Sequence, residues 1–121
     1  MKRILIAEDN DSNFILMGYL LKKHYEVVRA VNGRDAIEKL EQGGIDLVLM
    51  DIKMPLMNGL DATVLIRKET PDLPIIMQTA YAFSSDRERA MQCGASDVLV
   101  KPITLNILRT TLSRYLPRLQ W

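Results

Sequence analysis

Five short runs of nearly continuous apolar residues punctuate this chain, at positions 3–7, 26–31, 47–50, 75–77 and 98–100. Each has the length of one strand. Unbroken apolar character, rather than strict alternation, suits strands buried on both faces of a parallel sheet. Between the runs, apolar residues recur every three or four positions, the spacing of a helix with one buried face. Asn10, Asp11 and Ser12 are cap formers ahead of a helix that reaches about residue 23. Its stripe is read as Leu16, Met17, Leu20 and Leu21, which leaves Phe14, Ile15 and Tyr19 partly exposed. Asn32-Gly33 turns the chain into a helix with core positions Ala36, Ile37 and Leu40, stopped by Gly43-Gly44. Asn58-Gly59 opens a helix over 60–68, and Pro71 and Pro74 bracket a loop. Tyr81 and Phe83 lie in a loop before a helix starting at Ser84 or Ser85, which Gly94 ends. Thr104 caps a last helix with Leu105, Leu108, Leu112 and Leu116 along one side.

Strand and helix therefore alternate five times with short connections. That pattern predicts an α/β fold, a doubly wound five-stranded parallel sheet with helices on both faces. No repeat or linker interrupts it, so one domain is expected over residues 1–121. With 48% hydrophobic residues the chain can build a sizeable core. A net charge of +1 gives no electrostatic case for nucleic acid or a membrane surface. No apolar run approaches the roughly 20 residues of a membrane span. The single cysteine, Cys93, cannot form an internal disulfide and is read as a small buried residue, so a reducing, cytoplasmic location is expected. His24 reads as a helix-end residue, and the arginines of the last two helices as solvated faces.

The chemistry collects at the strand ends. Glu8, Asp9, Asp51, Thr79 and Lys101 each sit at, or just past, the carboxyl end of a predicted strand. In a parallel sheet these ends share one edge, the edge where ligands bind. If the strand order is 2-1-3-4-5, the first and third strands are neighbours, and Glu8, Asp9 and Asp51 form a cluster of three carboxylates. Like charges so close raise at least one pKa unless a cation compensates. Hard oxygen donors around a small cation suggest Mg²⁺. A metal, the Lys101 ammonium and the Thr79 hydroxyl around one carboxylate are the equipment for phosphoryl transfer, with Asp51 as nucleophile.

The stretches Ala7-Glu8-Asp9-Asn10, Asn32-Gly33, Asp46-Leu47-Val48-Leu49-Met50-Asp51-Ile52-Lys53-Met54-Pro55, Asn58-Gly59, Gln78-Thr79-Ala80, Gly94-Ala95 and Lys101-Pro102 occur in this order. Together they resemble a response-regulator receiver domain over essentially the whole chain, and Glu8-Asp9-Asn10 followed by Asn13 is most similar to receivers of hybrid histidine kinases. The resemblance implies a flavodoxin-like three-layer sandwich. It implies that Asp51 is the phosphoacceptor and that Thr79 and Lys101 contact the phosphoryl group. Mg²⁺ would be bound by Glu8, Asp9, Asp51 and the backbone carbonyl of Lys53. A cis Lys101–Pro102 bond is expected. Two departures stand out. Val98 replaces the aromatic residue usual three positions before the lysine, a part that Tyr81 or Phe83 could take over. The acidic pair is Glu-Asp rather than Asp-Asp. Lys53 and Tyr81 are read as modulators of dephosphorylation.

The implied partners are a histidine kinase or a histidine phosphotransfer protein, with an attached or separate output domain and a possible homodimer through the last helices. Phe14, Ile15 and Tyr19 are the candidate dock for the phosphodonor. The protein is expected not to be a dedicated enzyme. The competing enzyme reading is a small haloacid-dehalogenase-like Mg²⁺-dependent phosphohydrolase. That family has a second Asp two residues after its nucleophile, where this chain has Lys53. A flavin domain of similar fold would need a phosphate-binding loop after the first strand, where Glu8-Asp9-Asn10-Asp11 would repel a phosphate.

Overall fold

The computed structural model describes residues 1–81 and 84–116. The chain runs β1 (Arg3–Ala7), α1 (Asp11–Leu21), β2 (Glu26–Ala30), α2 (Gly33–Glu41) and β3 (Leu47–Asp51). It continues through α3 (Gly59–Glu69), β4 (Ile75–Thr79), α4 (Ser84–Gln92), β5 (Asp97–Val100) and α5 (Leu105–Tyr115). The strands form one parallel sheet in the order β2-β1-β3-β4-β5, as expected. Phe83 lies outside the described residues.

Side chains alternate across each strand and build a core on either face. On one face Leu5, Val48, Met50, Ile75 and Met77 pack with Ala36, Leu60, Ala62, Ile66 and Ala90 of α2, α3 and α4. On the other, Ile4, Ile6, Leu47, Leu49, Ile76 and Leu99 meet Met17 and Leu21 of α1 and Leu108, Leu112 and Leu116. The side chains of both layers are buried, and truncating one of their leucines to alanine typically costs about 2–5 kcal/mol. Cys93 is partly buried against the first core.

Four helices begin on side-chain caps. Asn10, Asn32, Asn58 and Thr104 each accept a hydrogen bond from the backbone N–H three residues on, satisfying a donor that the helix itself leaves orphaned. Gly43 and Gly44, both with positive φ, follow α2. Gly59 has a different role. A Cβ there would collide with the backbone carbonyl oxygen of Asp51 and lie 2.9 Å from Cγ of Met50. Only glycine lets α3 start directly against the end of β3.

Three local expectations change. The stripe of α1 is Phe14, Met17 and Leu21 with Leu20 beside it, whereas Leu16 is 52% exposed. From Phe14 onward no residue of this helix is charged and nearly all are apolar, so periodicity alone does not single out the buried face. Val31 leaves β2 because its amide donates to Asp35, in the first turn of α2, and its side chain faces solvent. Leu105, at the first position of α5, is exposed, because a side chain there leans back over the connection rather than onto the sheet.

The amino edge of the sheet is held by an arginine the sequence did not single out. The Arg67 guanidinium, on α3, donates to the backbone oxygens of Thr70, Leu73 and Gly94 and to Ser96 Oγ. It thereby ties together the chain entering β4 and the chain entering β5.

Candidate functional site

The carboxyl edge gathers all four charged candidates. Asp51 is the last residue of β3 and Glu8 follows β1 directly, its amide extending the sheet by bonding Ala30 O. Glu8 is 2% exposed and Asp51 8%, while Asp9 faces solvent. One oxygen from each of the three carboxylates lies within 4.8 Å of the others. Lys101, just past β5, points its ammonium between two of them, 3.0 Å from Glu8 Oε1 and 3.2 Å from Asp51 Oδ2. Its own amide donates to Thr79 O, which fixes the position of the lysine relative to β4. The Lys101–Pro102 bond is cis.

Burial, then the hydrogen bond and charge of Glu8, push the Asp51 carboxyl up to about 6, against a weaker downward pull from Lys101. Burial alone would lower Lys101, but its contacts with Glu8 and Asp51 outweigh that and raise it, so it remains an ammonium. The edge thus carries three carboxylates against one ammonium. An all-oxygen donor set with surplus negative charge fits Mg²⁺, and the donors are close enough to share one small cation.

Thr79, the last residue of β4, is buried. Its hydroxyl donates to Asp86 Oδ2 at 3.1 Å and accepts from the Tyr81 amide at 3.1 Å. Asp86 is in the first turn of α4 and was missed from sequence, where an acidic residue near a helix start reads as a partner for the helix dipole. Asp51, Lys53, Thr79, Tyr81, Asp86 and Lys101 line one cavity of about 110 Å³. Lys53 is exposed, its ammonium 4.6 Å from the centre of the Tyr81 ring, so the two side chains meet over the mouth of the cavity. Val98 is buried in the core behind the sheet edge.

Arg29, on β2, was also missed. Its Nε and Nη2 donate to Glu8 O at 3.2 and 3.1 Å, its Nη1 pairs with Asp11 at 2.8 Å, and it stacks on Phe14. Phe14 packs between this guanidinium and the core beside Met17 and Leu21 instead of joining an exposed patch. Ile15 and Tyr19 remain 66% and 64% exposed.

A buried aspartate at a strand end, flanked by two further acids and a lysine on a five-stranded parallel sheet, defines a class of phosphoryl-handling α/β domains. Residues 4–113 match the response regulator receiver domain, and the chain belongs to that family. It is 40% identical over 121 residues to hybrid signal transduction histidine kinase G of Dictyostelium discoideum, covering 95% of this chain and only 4% of the kinase's length. Among solved structures, it resembles the receiver domain of a sensor histidine kinase from Pseudomonas aeruginosa PAO1, with magnesium coordinated in the active-site cleft. That match has a TM-score of 0.88 and 34% identity, and covers 94% of this chain and 96% of that one. It also resembles a Saccharomyces cerevisiae receiver domain co-crystallised with a histidine phosphotransfer signalling protein, with a TM-score of 0.89 and 28% identity. This match covers 94% of this chain and 88% of that one.

The chain is therefore a receiver domain of two-component signal transduction, a signalling domain rather than a dedicated enzyme. The phosphohydrolase alternative finds no support. No helix among the described residues is long and apolar enough to cross a membrane.

Proposed function

We propose that Asp51 accepts a phosphoryl group from a phosphohistidine donor and that the chain is one receiver module, residues 1–121, in a phosphorelay. The observation that carries this reading is the buried Asp51 carboxylate with Lys101 Nζ at 3.2 Å and two further carboxylates beside it. With its pKa near 6, Asp51 is ionised at neutral pH yet more basic than an ordinary carboxylate, which favours attack. In the transfer, an Asp51 oxygen forms the new bond to phosphorus as the phosphorus–nitrogen bond of the donor breaks. The bonding pair stays on the imidazole nitrogen, which then takes a proton from solvent.

Glu8, Asp9 and Asp51, with the backbone carbonyl of Lys53, would hold Mg²⁺, which when bound supplies charge neutralisation for the phosphoryl oxygens. Lys101 offers its ammonium to the same oxygens, and Thr79 offers a hydroxyl hydrogen bond. Lys53 and Tyr81 cover the mouth and restrict water, so they tune the rate of self-catalysed dephosphorylation.

A histidine kinase or histidine phosphotransfer protein is the partner we assign, docking on the exposed side of α1. Ile15, Leu16 and Tyr19 stand there beside a groove that runs to Lys101, Pro102 and Ile103. Output passes to an attached or separate domain, and pairing of two copies through the last helices is one route for it. A cytoplasmic setting follows from this relay chemistry.

The test is incubation with acetyl phosphate and Mg²⁺, read by mass spectrometry. Wild type gains one phosphoryl group and Asp51→Asn gains none. A phosphorylated Asp51→Asn chain refutes the assignment. Changing Leu16 and Tyr19 together to alanine is expected to slow transfer from a phosphotransfer protein about tenfold while leaving acetyl phosphate labelling intact.

A further inference from the structure

We propose that Asp86 is the resting partner of Thr79 and competes with phosphorylated Asp51 for its single hydroxyl proton, so that phosphorylation frees the first turn of α4. This rests on the reading of Asp51 as acceptor and of Thr79 as a phosphoryl contact. A threonine hydroxyl has one proton to give. Here that proton is committed to Asp86 Oδ2, and the oxygen also accepts from the Tyr81 amide. A phosphoryl oxygen at Asp51 is only an acceptor, so it can bond Thr79 only by taking the proton from Asp86.

Charge acts in the same direction. Asp86 lines the same cavity as Asp51, and a carboxylate there repels a phosphoryl group. The two cations that line the cavity are already engaged, Lys101 with Glu8 and Asp51, and Lys53 with the Tyr81 ring. Arg89, one turn along α4 and 3.9 Å from Asp86, is placed to hold the carboxylate once Thr79 releases it. The helix dipole accounts for an acid in this turn, but not for its bond to Thr79. Asp86 is thus a positioning residue, acting on the phosphoryl site through Thr79. The exchange of one hydrogen bond for another turns a local event at β3 into a change at the start of α4.

Beryllofluoride with Mg²⁺, a mimic of the phosphoryl group, tests this by calorimetric titration of the full chain. Asp86→Ala should bind it about fivefold more tightly than wild type, the low end of typical coupling. In a Thr79→Val background the same Asp86→Ala change should give a clearly smaller gain, the part due to charge alone, because the shared proton is gone. An unaltered affinity of Asp86→Ala in the wild-type background overturns the proposal. So does a gain of equal size in the Thr79→Val background, which would mean that charge alone is at work. Wild type itself supplies a check that needs no variant to fold. On adding beryllofluoride, the amides of residues 88–90, which bond the carbonyls of the first turn of α4, should lose protection from hydrogen exchange, and unchanged protection sinks the proposal. Wild type that binds no beryllofluoride overturns the Asp51 reading, and this proposal with it.

Discussion

The two edges of the sheet handle charge in opposite ways. At the amino edge Lys2 pairs with Asp46 at 3.9 Å and Arg3 with Glu26 at 3.5 Å, two cations against two anions, all substantially solvated. Arg67 spends its donors there on backbone carbonyls and Ser96 Oγ. At the carboxyl edge three carboxylates face one ammonium, and two of the three are buried. The first arrangement is satisfied as it stands. The second is short of positive charge, and that shortfall is what the proposed Mg²⁺ would make good before an anionic phosphoryl group could be held there. Stability resides at one edge and reactivity at the other.

The largest expected effect is at the amino edge. Arg67→Ala leaves three carbonyls without their donor and should cost about 3 kcal/mol in denaturant unfolding, while labelling of the folded protein by acetyl phosphate stays intact. Loss of labelling under folding conditions would show that the edges are not separable. Next comes pH. Asp51 is raised from 3.8 to about 6, so between those values the folded protein holds this proton more tightly than the unfolded chain. Its contribution is therefore full below about pH 4 and is lost as pH rises through 6, by up to about 3 kcal/mol. Asp51→Asn should remove this fall and melt higher than wild type at pH 7 without Mg²⁺. Equal pH profiles for the two proteins would contradict the strained edge.

Lys101→Met removes the one cation from the pair of buried acids. It is expected to cost about 2 kcal/mol at pH 7, less than a fully buried pair would, because protonation of a carboxyl relieves part of the loss. Added Mg²⁺ should recover most of it, as read by melting with and without the ion. Smallest is Glu26→Gln, whose exposed partner Arg3 gives it less than about 0.5 kcal/mol, vanishing in high salt.

The strands were legible because unbroken apolar runs have few other uses at this length. The strand ends were legible because a parallel sheet leaves residues 8, 51, 79 and 101 no other edge to share. The burial of α1 was not, since Leu16 and Phe14 are both apolar and it is packing with Met17 and Leu21, together with the Arg29 guanidinium on Phe14, that places Phe14 inward. Asp86 and Arg67 escaped for a related reason. Each acts on a group in another segment, Asp86 on the Thr79 hydroxyl seven residues back and Arg67 on carbonyls up to Gly94, and no residue pattern announces such a pairing.

The contact of Gly59 with the Asp51 carbonyl has a mechanical consequence. With the start of one helix wedged against its peptide, the proposed acceptor has an anvil behind it. If it takes a new group as proposed, that backing directs the expected displacement to the opposite wall, where Thr79 ends β4. Enlarging residue 59 would soften that anvil and let the message dissipate where it arrives.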